Sequence, residues 1–140
     1  MLMLDTNVVS ELMRLQPTPS VVSWVDALPP ESLWICAVTL AELRLGVALL
    51  PEGNRRAVLV ERTELILERL VSSCAPFDAL AANEYARVVA ARRRAGRPIS
   101  VQDAQIAAVA LSAGLSLATR NVKDFEGIEG LKLIDPWRGA

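Results

Sequence analysis

Four segments of the sequence combine a residue type that caps helices with a carboxylate. The carboxylate is either the capping residue itself or lies within one helical turn after it. Taken singly, each acid is explained by capping, because Thr-x-x-Glu and Ser-x-x-Asp are capping boxes. An acid in the first helical turn also gains about 0.3–1 kcal/mol from the helix dipole. The first segment fits loosely because Asp5 itself occupies the cap position, and the third because no strand immediately precedes Ser100. The segments are Leu4-Asp5-Thr6-Asn7, Thr39-Leu40-Ala41-Glu42, Ser100-Val101-Gln102-Asp103 and Asn121-Val122-Lys123-Asp124.

The four acids would share one site if they lay at the same edge of a parallel sheet. In α/β folds the carboxyl ends of the strands and the amino ends of the following helices meet at that edge, where ligands bind. Clustered carboxylates repel one another and lose hydration, so they persist mainly when a cation neutralises them. Oxygen ligands without histidine or cysteine select Mg²⁺ or Mn²⁺. Such an ion activates water and clamps a phosphodiester, so the pattern is typical of a metal-dependent nuclease or phosphatase.

Composition excludes several other kinds of site. The chain has no histidine, which removes catalytic triads that use imidazole, most zinc sites and any histidine general base. Fifteen basic and sixteen acidic residues give a net charge of −1, so nucleic-acid binding would need a local patch or a metal. Cys36 and Cys74 lie far apart in the sequence and are interpreted as small core residues rather than a disulfide.

The elements that must position the acids fit one α/β domain spanning residues 1–140. Apolar residues make up 52% of the chain and mean hydropathy is +0.32, which excludes disorder. No apolar run approaches the ~20 residues that span a bilayer, and residues 1–5 lack a basic signal-peptide region, so we expect no membrane association and a cytoplasmic location. Strands are predicted at 1–4, 33–38, 74–77, 115–118 and 131–134, and helices at 8–15, 20–28, 39–50, 54–72, 78–95 and 100–114. Their alternation predicts a parallel sheet with right-handed crossovers, and segment 54–72 is interpreted as a surface helix or arm.

Four motifs in order along the chain resemble those of PIN-domain ribonucleases, particularly the VapC-type toxins of prokaryotic toxin–antitoxin pairs and their FitB-like branch. They occupy residues 4–8, 39–43, 100–107 and 118–125, and the resemblance covers essentially the whole chain. It implies a PIN-like three-layer α/β fold with a central parallel sheet flanked by helices. It also implies a Mg²⁺- or Mn²⁺-dependent endoribonuclease that acts as the toxin of such a pair.

The same resemblance implies the roles of individual residues. Asp5, Glu42 and Asp103 become metal-coordinating catalytic acids. Many family members carry an acid where this chain has Asn121, so the fourth carboxylate role is assigned to Asp124, while Asn121 could still hold a metal-bound water. The remaining residues of the motifs would orient the ligands or the substrate, with simple capping as the alternative, and these are Thr6, Asn7 and Thr119.

Basic and aromatic side chains outside the motifs have both a binding and a structural interpretation. Arg120 adjoins the acidic edge and would meet the scissile phosphate or pair with Glu42 or Asp124. Basic residues 92–94 and 97 could grip RNA phosphates, but a basic last turn also stabilises a helix end, and we favour that interpretation. For Trp24, Trp34 and Trp137, packing in the core or an interface is favoured over base stacking.

Apolar helix faces predict protein partners. The helices at 8–15 and 58–71 could bury apolar faces against another chain. The resemblance supplies two candidates, a second copy of this chain and a small antitoxin whose tail lies over the acidic site. DNA would be contacted only indirectly, through the antitoxin.

Two other functions stay open. Phosphatases of the haloacid-dehalogenase type also begin with a strand-terminal aspartate, which would make Asp5 a nucleophile, but their motif has a second aspartate where this chain has Asn7. A catalytically silent partner-binding module would use the acids only as caps. The substitution Asp103→Asn separates these cases, because asparagine also caps helices and should preserve the fold while abolishing metal-dependent cleavage.

Overall fold

A five-stranded parallel sheet forms the middle layer of the protein. The computed structural model describes residues 1–70 and 73–138. The strands are β1 (Leu2–Leu4), β2 (Leu33–Cys36), β3 (Cys74–Ala75), β4 (Ser116–Ala118) and β5 (Leu133–Ile134), in the order β3-β2-β1-β4-β5. Every neighbouring pair is parallel, and β1 lies in the centre with Leu4 opposite Ala118. The predicted α/β class and parallel sheet are confirmed.

Helices cover both faces of the sheet and give the three layers. They are α1 (Thr6–Met13), α2 (Pro19–Asp26), α3 (Ala37–Ala48), α4 (Asn54–Leu70), α5 (Ala79–Arg94), α6 (Val101–Ala113) and α7 (Val122–Phe125). Because side chains alternate along a strand, Met3 packs in one core with residues of α5, α6 and α7. Leu2 and Leu4 pack in the other, with residues of α1, α2 and α4. Among these helices none is long and apolar enough to cross a membrane.

The boundary between β2 and α3 differs from the prediction. The apolar run at 33–38 was expected to be all strand, with Thr39 capping the next helix, but α3 already begins at Ala37. Cys36 is the N-cap, and its Sγ accepts a hydrogen bond from the amide of Val38 at 3.3 Å. Thr39 is therefore a buried residue of the first turn, and Glu42 lies beyond that turn. The predicted Thr39-to-Glu42 capping box was wrong.

The predicted partner-binding face of α1 needs correction, whereas α4 keeps exposed apolar residues. Val8, Val9 and Met13 of α1 are buried in the chain's own core, because α4 lies across them. Segment 54–72 is not a free arm, since Thr63, Leu67 and Leu70 of α4 are buried. The last residues predicted for this helix, 71 and 72, lie outside the described part of the chain. The exposed apolar side chains of this region are Val58 and Leu65 on α4 and Leu15, which follows α1.

Other local predictions are confirmed. Ser100 is the N-cap of α6, and Gly114, with φ 69°, is its left-handed C-cap, a conformation that glycine adopts without strain. Both cysteines are free thiols. The three tryptophans pack partly buried against the two cores, Trp34 against one and Trp24 and Trp137 against the other.

Candidate active site

Asp5 lies where the central strand ends and α1 begins. Its amide donates to the Ala118 carbonyl at 2.9 Å, which extends the pairing of β1 with β4 by one residue. Its side chain is only 4% exposed, although a carboxylate is seldom buried without partners. The Asp5 backbone is extended, with φ −69° and ψ 159°, as expected of an N-cap. The strand therefore delivers this carboxylate to the edge of the sheet.

Both carboxylate oxygens of Asp5 accept hydrogen bonds from the surrounding chain. Oδ1 accepts from the Thr6 amide at 2.8 Å. Oδ2 accepts from the Thr119 hydroxyl at 2.7 Å and from the Asn7 side-chain amide at 3.2 Å. Burial raises the pKa of Asp5, the Thr119 and Thr6 bonds lower it, and the charge of Asp103 raises it further. The pKa of Asp5 is raised on balance, and its orientation is fixed.

Thr119 joins two strand ends through its hydroxyl. The hydroxyl donates to Asp5 and accepts from the Asn121 amide at 3.0 Å and from the Asn7 side chain at 3.3 Å. One donor and two acceptor positions exhaust what a threonine hydroxyl can do. The Asn7 carbonyl oxygen accepts in turn from the Arg120 amide at 3.2 Å. Asn7 and Thr119 therefore orient Asp5 directly, whereas Asn121 and Arg120 join this network through their backbone amides.

Thr6 contacts a different partner, which the sequence interpretation missed. Its hydroxyl lies 3.1 Å from the hydroxyl of Thr39, which is fully buried. This contact links the start of α1 to the start of α3, the helix that carries Glu42. Thr39 was interpreted as a cap, and only its unexpected position inside α3 reveals this role.

Glu42 holds a buried oxygen without a hydrogen-bond partner. In the described part of the chain no group bonds its Oε1, and leaving a buried acceptor unsatisfied costs about 1–3 kcal/mol. Burial is the main cause that raises the pKa of Glu42, followed by the charges of Asp5 and Asp103, while the Thr6 hydroxyl acts in the opposite direction. This oxygen has the properties expected of a ligand position for a cation.

Asp103 lies in the first turn of α6. Its amide donates to the Ser100 hydroxyl at 3.1 Å, so the capping role considered for this segment is real and belongs to Ser100. Burial raises the pKa of Asp103, and the charge of Asp124 raises it further, against the opposing effects of the Ser100 bond and of the Arg92 charge. The Asp103 carboxylate is thus coupled electrostatically to Asp124, and its own charge raises the pKa values of Asp5 and Glu42.

A single cavity of about 460 Å³ is lined by Asp5, Glu42 and Asp103 together with Asn121. We call it the acidic cavity. Three of the four predicted acids thus converge, although Glu42 arrives from a helix rather than from a strand end. Its lining also includes residues that the sequence interpretation missed, and these are Ser10, Glu11, Arg14, Gln102 and Ile106.

The polar stripe along α1 could have revealed several of the missed residues. Asn7, Ser10, Glu11 and Arg14 follow the spacing i, i+3, i+4, i+7, which places them on one helix face. Glu11 is buried and accepts from the Thr18 amide at 2.9 Å and from Arg14 at 3.3 Å. The Thr18 amide is the main cause that holds the pKa of Glu11 below its ordinary value. Glu11 therefore keeps Arg14 at the wall of the acidic cavity.

Asp124 and Arg120 lie away from the acidic cavity. Asp124 lines a second cavity, which shares only Asp103 with the first. The Arg120 guanidinium lies over the Trp137 ring, 5.0 Å from its centroid. Among the ion pairs of residues 1–70 and 73–138, none joins Arg120 to Glu42 or Asp124, so the predicted pairing is wrong.

The donor chemistry of the acidic cavity fits a hard divalent ion. It offers carboxylate and amide oxygens, one of them unpartnered, and the acids raise one another's pKa values. Within the described residues no three acids lie close enough to form a complete ligand set on their own. That arrangement suits Mg²⁺, which usually binds one or two carboxylates and keeps several waters.

A family model described as PIN domain matches residues 2–131. The chain belongs to the PIN domain family. It is 41% identical over 141 residues to the VapC ribonuclease Y4jK of Sinorhizobium fredii, covering 100% of both chains. It is also 41% identical over 138 residues to the toxin FitB of Neisseria gonorrhoeae, covering 98% of this chain and 99% of FitB.

A solved structure shows the same fold. The structure of FitAB bound to the IR36 DNA fragment matches with a TM-score of 0.91 and 40% identity, covering 98% of this chain and 96% of that chain. The resemblance to VapC-type and FitB-like PIN domains is therefore confirmed, as is the three-layer fold that it implied.

Proposed function

We propose that this PIN domain is a Mg²⁺- or Mn²⁺-dependent endoribonuclease that hydrolyses RNA phosphodiester bonds as the toxin of a toxin–antitoxin pair. The observation that carries the proposal is the convergence of Asp5, Glu42 and Asp103 on one cavity from β1, α3 and α6. A bound cation would relieve the repulsion between these carboxylates and would give the unpartnered Glu42 oxygen a partner.

In this proposal Asp5, Glu42 and Asp103 hold the ion, directly or through the water molecules that Mg²⁺ usually keeps. Asp124 lines the neighbouring cavity, where its charge raises the Asp103 pKa, and it completes the set of acids. Thr119 and Asn7 keep the Asp5 carboxylate in one orientation, and Asn121 adds a polar side chain to the cavity wall. The bound ion would lower the pKa of a water molecule and neutralise charge on the phosphodiester.

RNA as the substrate and an antitoxin as the partner are supported by the relatives. One relative is named a ribonuclease and another a toxin, and the matching FitAB structure is bound to DNA. We propose that an antitoxin covers the acidic cavity, that it supplies the DNA contact, and that the protein acts in the cytoplasm. Exposed apolar residues on α3, at its C-cap and on α4 support a second copy or the antitoxin as a protein partner. They are Leu45, Leu49, Val58 and Leu65.

The phosphatase alternative is not favoured by the geometry of Asp5. Asn7, at the position of that class's second aspartate, donates to Asp5. The partner-binding module remains the alternative that an experiment must exclude.

The test is cleavage of total cellular RNA by the purified chain with Mg²⁺, Mn²⁺ or EDTA. We expect discrete fragments with either metal and none with EDTA. Asp103→Asn should reduce cleavage more than about 100-fold, since metal-assisted charge stabilisation contributes several kcal/mol, while melting at nearly the wild-type temperature. Glu61→Gln changes an exposed acid of α4 that lines neither cavity, and it should cleave normally.

Three outcomes would contradict the proposal in whole or in part. A folded, antitoxin-free chain that cleaves no RNA with either metal would favour the partner-binding module. A stable phosphoenzyme at Asp5 after incubation with a phosphate ester would favour the phosphatase. Equal cleavage by wild type and Asp103→Asn would remove Asp103 from the mechanism.

A further inference from the structure

A second cavity of about 430 Å³ shares one lining residue, Asp103, with the acidic cavity. We call it the basic cavity, because its lining carries three cations, Arg92, Arg97 and Lys123, against two acids, Asp103 and Asp124. The acidic cavity has the reverse balance, with four carboxylates and the single cation Arg14. In a chain whose net charge is −1, this local excess of positive charge calls for an explanation.

Arg92 acts as a support rather than as a ligand. It is buried, and its Nη2 donates to the Asp124 carbonyl at 2.9 Å and to the Glu126 carbonyl at 2.8 Å. These bonds tie the end of α5 to α7, the short helix that carries Lys123. The structural interpretation of the basic run 92–94 is thus right for Arg92, and its effect is to fix where Lys123 lies.

Arg97 is placed by the way α5 ends. Gly96, with φ 69°, donates to the Arg93 carbonyl at 3.1 Å, and the Arg97 amide donates to the Arg92 carbonyl at 2.9 Å. This pair of bonds is a Schellman motif, which requires the left-handed conformation that glycine tolerates. Pro98 then stops any continuation of the helix. The backbone of Arg97 is therefore held at the cavity wall.

The charges of Arg97 and Lys123 are not paired with carboxylates of residues 1–70 and 73–138. Within the described part of the chain neither forms an ion pair with any carboxylate, whereas Arg14, Arg44, Arg87 and Arg138 each do. The backbone at both positions is held in place, and both residues line a cavity next to the acidic cavity. These two cations could therefore bind an anionic group of the substrate that occupies the acidic cavity. An RNA strand supplies one, because another phosphate follows each phosphate along its backbone.

We propose that the basic cavity binds a backbone phosphate adjacent to the one that is cleaved, with Arg97 and Lys123 as its cationic ligands. This inference rests on the proposed ribonuclease function, since it assigns the path of that enzyme's substrate. Asp103 then lies between the two subsites. The strand crosses α6 at its N-terminal turn, from the acidic cavity to the basic cavity.

The test compares two variants that each remove two positive charges. Arg97→Ala/Lys123→Ala removes the proposed ligands. Arg93→Ala/Arg94→Ala removes exposed charges from the same end of α5 that line neither cavity. Both are made in a Glu42→Gln chain, and binding of a short single-stranded RNA is measured by fluorescence anisotropy in EDTA over a range of salt concentrations.

We expect Arg97→Ala/Lys123→Ala to weaken binding by at least about tenfold at low salt, as for the loss of a charge-assisted hydrogen bond. The slope of log affinity against log salt should fall by about 0.7, the contribution of one phosphate in a single strand. The charge-matched variant should keep nearly the full slope. Exchanging the cations, Arg97→Lys/Lys123→Arg, should restore most of the affinity, and melting curves exclude unfolding.

Equal losses in the two double variants would overturn the proposal, because they would show general attraction without a site. Failure of the parent chain to bind RNA at all would also overturn it. If RNA binding depends selectively on Arg97 and Lys123 but the wild type cleaves nothing with either metal, the phosphate site stands and the ribonuclease proposal fails. The two proposals are thus distinguished.

Discussion

The acidic cavity and the basic cavity share Asp103 in their lining and are built in different ways. Around Asp5, the acidic cavity is held by side-chain hydrogen bonds between residues far apart in sequence, such as Thr119 to Asp5. The basic cavity is held by backbone bonds at the end of α5 and by Arg92, which bonds two carbonyls near α7. The first leaves carboxylate charge unneutralised, and the second leaves cationic charge unpaired. An enzyme that binds a metal ion and an RNA strand together needs both kinds of site. Carboxylates would bind the ion, and neighbouring cations would bind a phosphate of the strand.

Among substitutions that leave the acids in place, the largest effect should come from removing the Thr119 hydroxyl, which bonds Asp5. Thr119→Val deletes the 2.7 Å bond to Asp5 and the acceptor used by the Asn121 amide. Groups that orient a metal ligand typically contribute 10- to 100-fold to metal affinity, and we expect a loss of that size when Mn²⁺ is titrated by calorimetry. Thr63→Val, at a buried threonine whose hydroxyl contacts only the Met13 sulfur, is the matched control. Equal affinities in wild type and Thr119→Val would show that Asp5 needs no orientation.

A smaller effect should come from the support of the basic cavity. Arg92→Met removes the donor to the Asp124 and Glu126 carbonyls, and we expect unfolding in urea to become easier by on the order of 1–2 kcal/mol. Arg93→Met, at an exposed neighbour, should stay within about 0.5 kcal/mol of wild type. If Arg92→Met were as stable as Arg93→Met, Arg92 would not support α7, and the contrast between the two cavities would lose its structural basis.

The smallest effect should be the stability cost of the acidic charge itself. Because the folded-state pKa of Glu42 is raised above its ordinary 4.5, ionised Glu42 destabilises the fold, and stability falls as pH rises through that raised value. In EDTA at pH 7, Glu42→Gln should therefore melt higher than wild type, by on the order of 2 °C for a solvent-screened group. The difference should vanish below about pH 4.5.

In saturating Mg²⁺ the wild type should melt at a higher temperature than Glu42→Gln. An ion that binds the folded wild type, and binds the variant more weakly, stabilises the wild type by mass action. Glu61→Gln, which alters neither cavity, should follow the wild type throughout. A Glu42→Gln chain that melts lower than wild type in EDTA would show that Glu42 is not under electrostatic strain.

Local sequence signals predicted many of the helix ends, and they did so where the capping bonds are local. Ser100 and Gly114 bound α6 through bonds to their own neighbours. The same reasoning failed at Thr39, because the Cys36 sulfur caps α3 three residues earlier. The face of α1 expected to meet a partner is buried instead, because α4, far along the chain, packs on it.

Some residues of the candidate site could likewise be predicted from the sequence, and others could not. Asp5, Glu42 and Asp103 could be selected from residue type, spacing and family resemblance. Asp124 could not be placed, because Asn121 and Asp124 line different cavities although only two residues separate them. That difference depends on Arg92, which is 32 residues distant from Asp124. Arg120 likewise stacks on Trp137 rather than pairing with an acid.

The sequence by itself determined the α/β class, the family and the chemistry of the acids, because apolar periodicity, caps and motif order are encoded within short stretches of chain. Only the tertiary structure decided the network through Thr119, the polar stripe of α1 and the separation of Asn121 from Asp124. Those features depend on bonds between residues distant along the chain. Such bonds form only when the packing of helices on the sheet fixes which side chains meet.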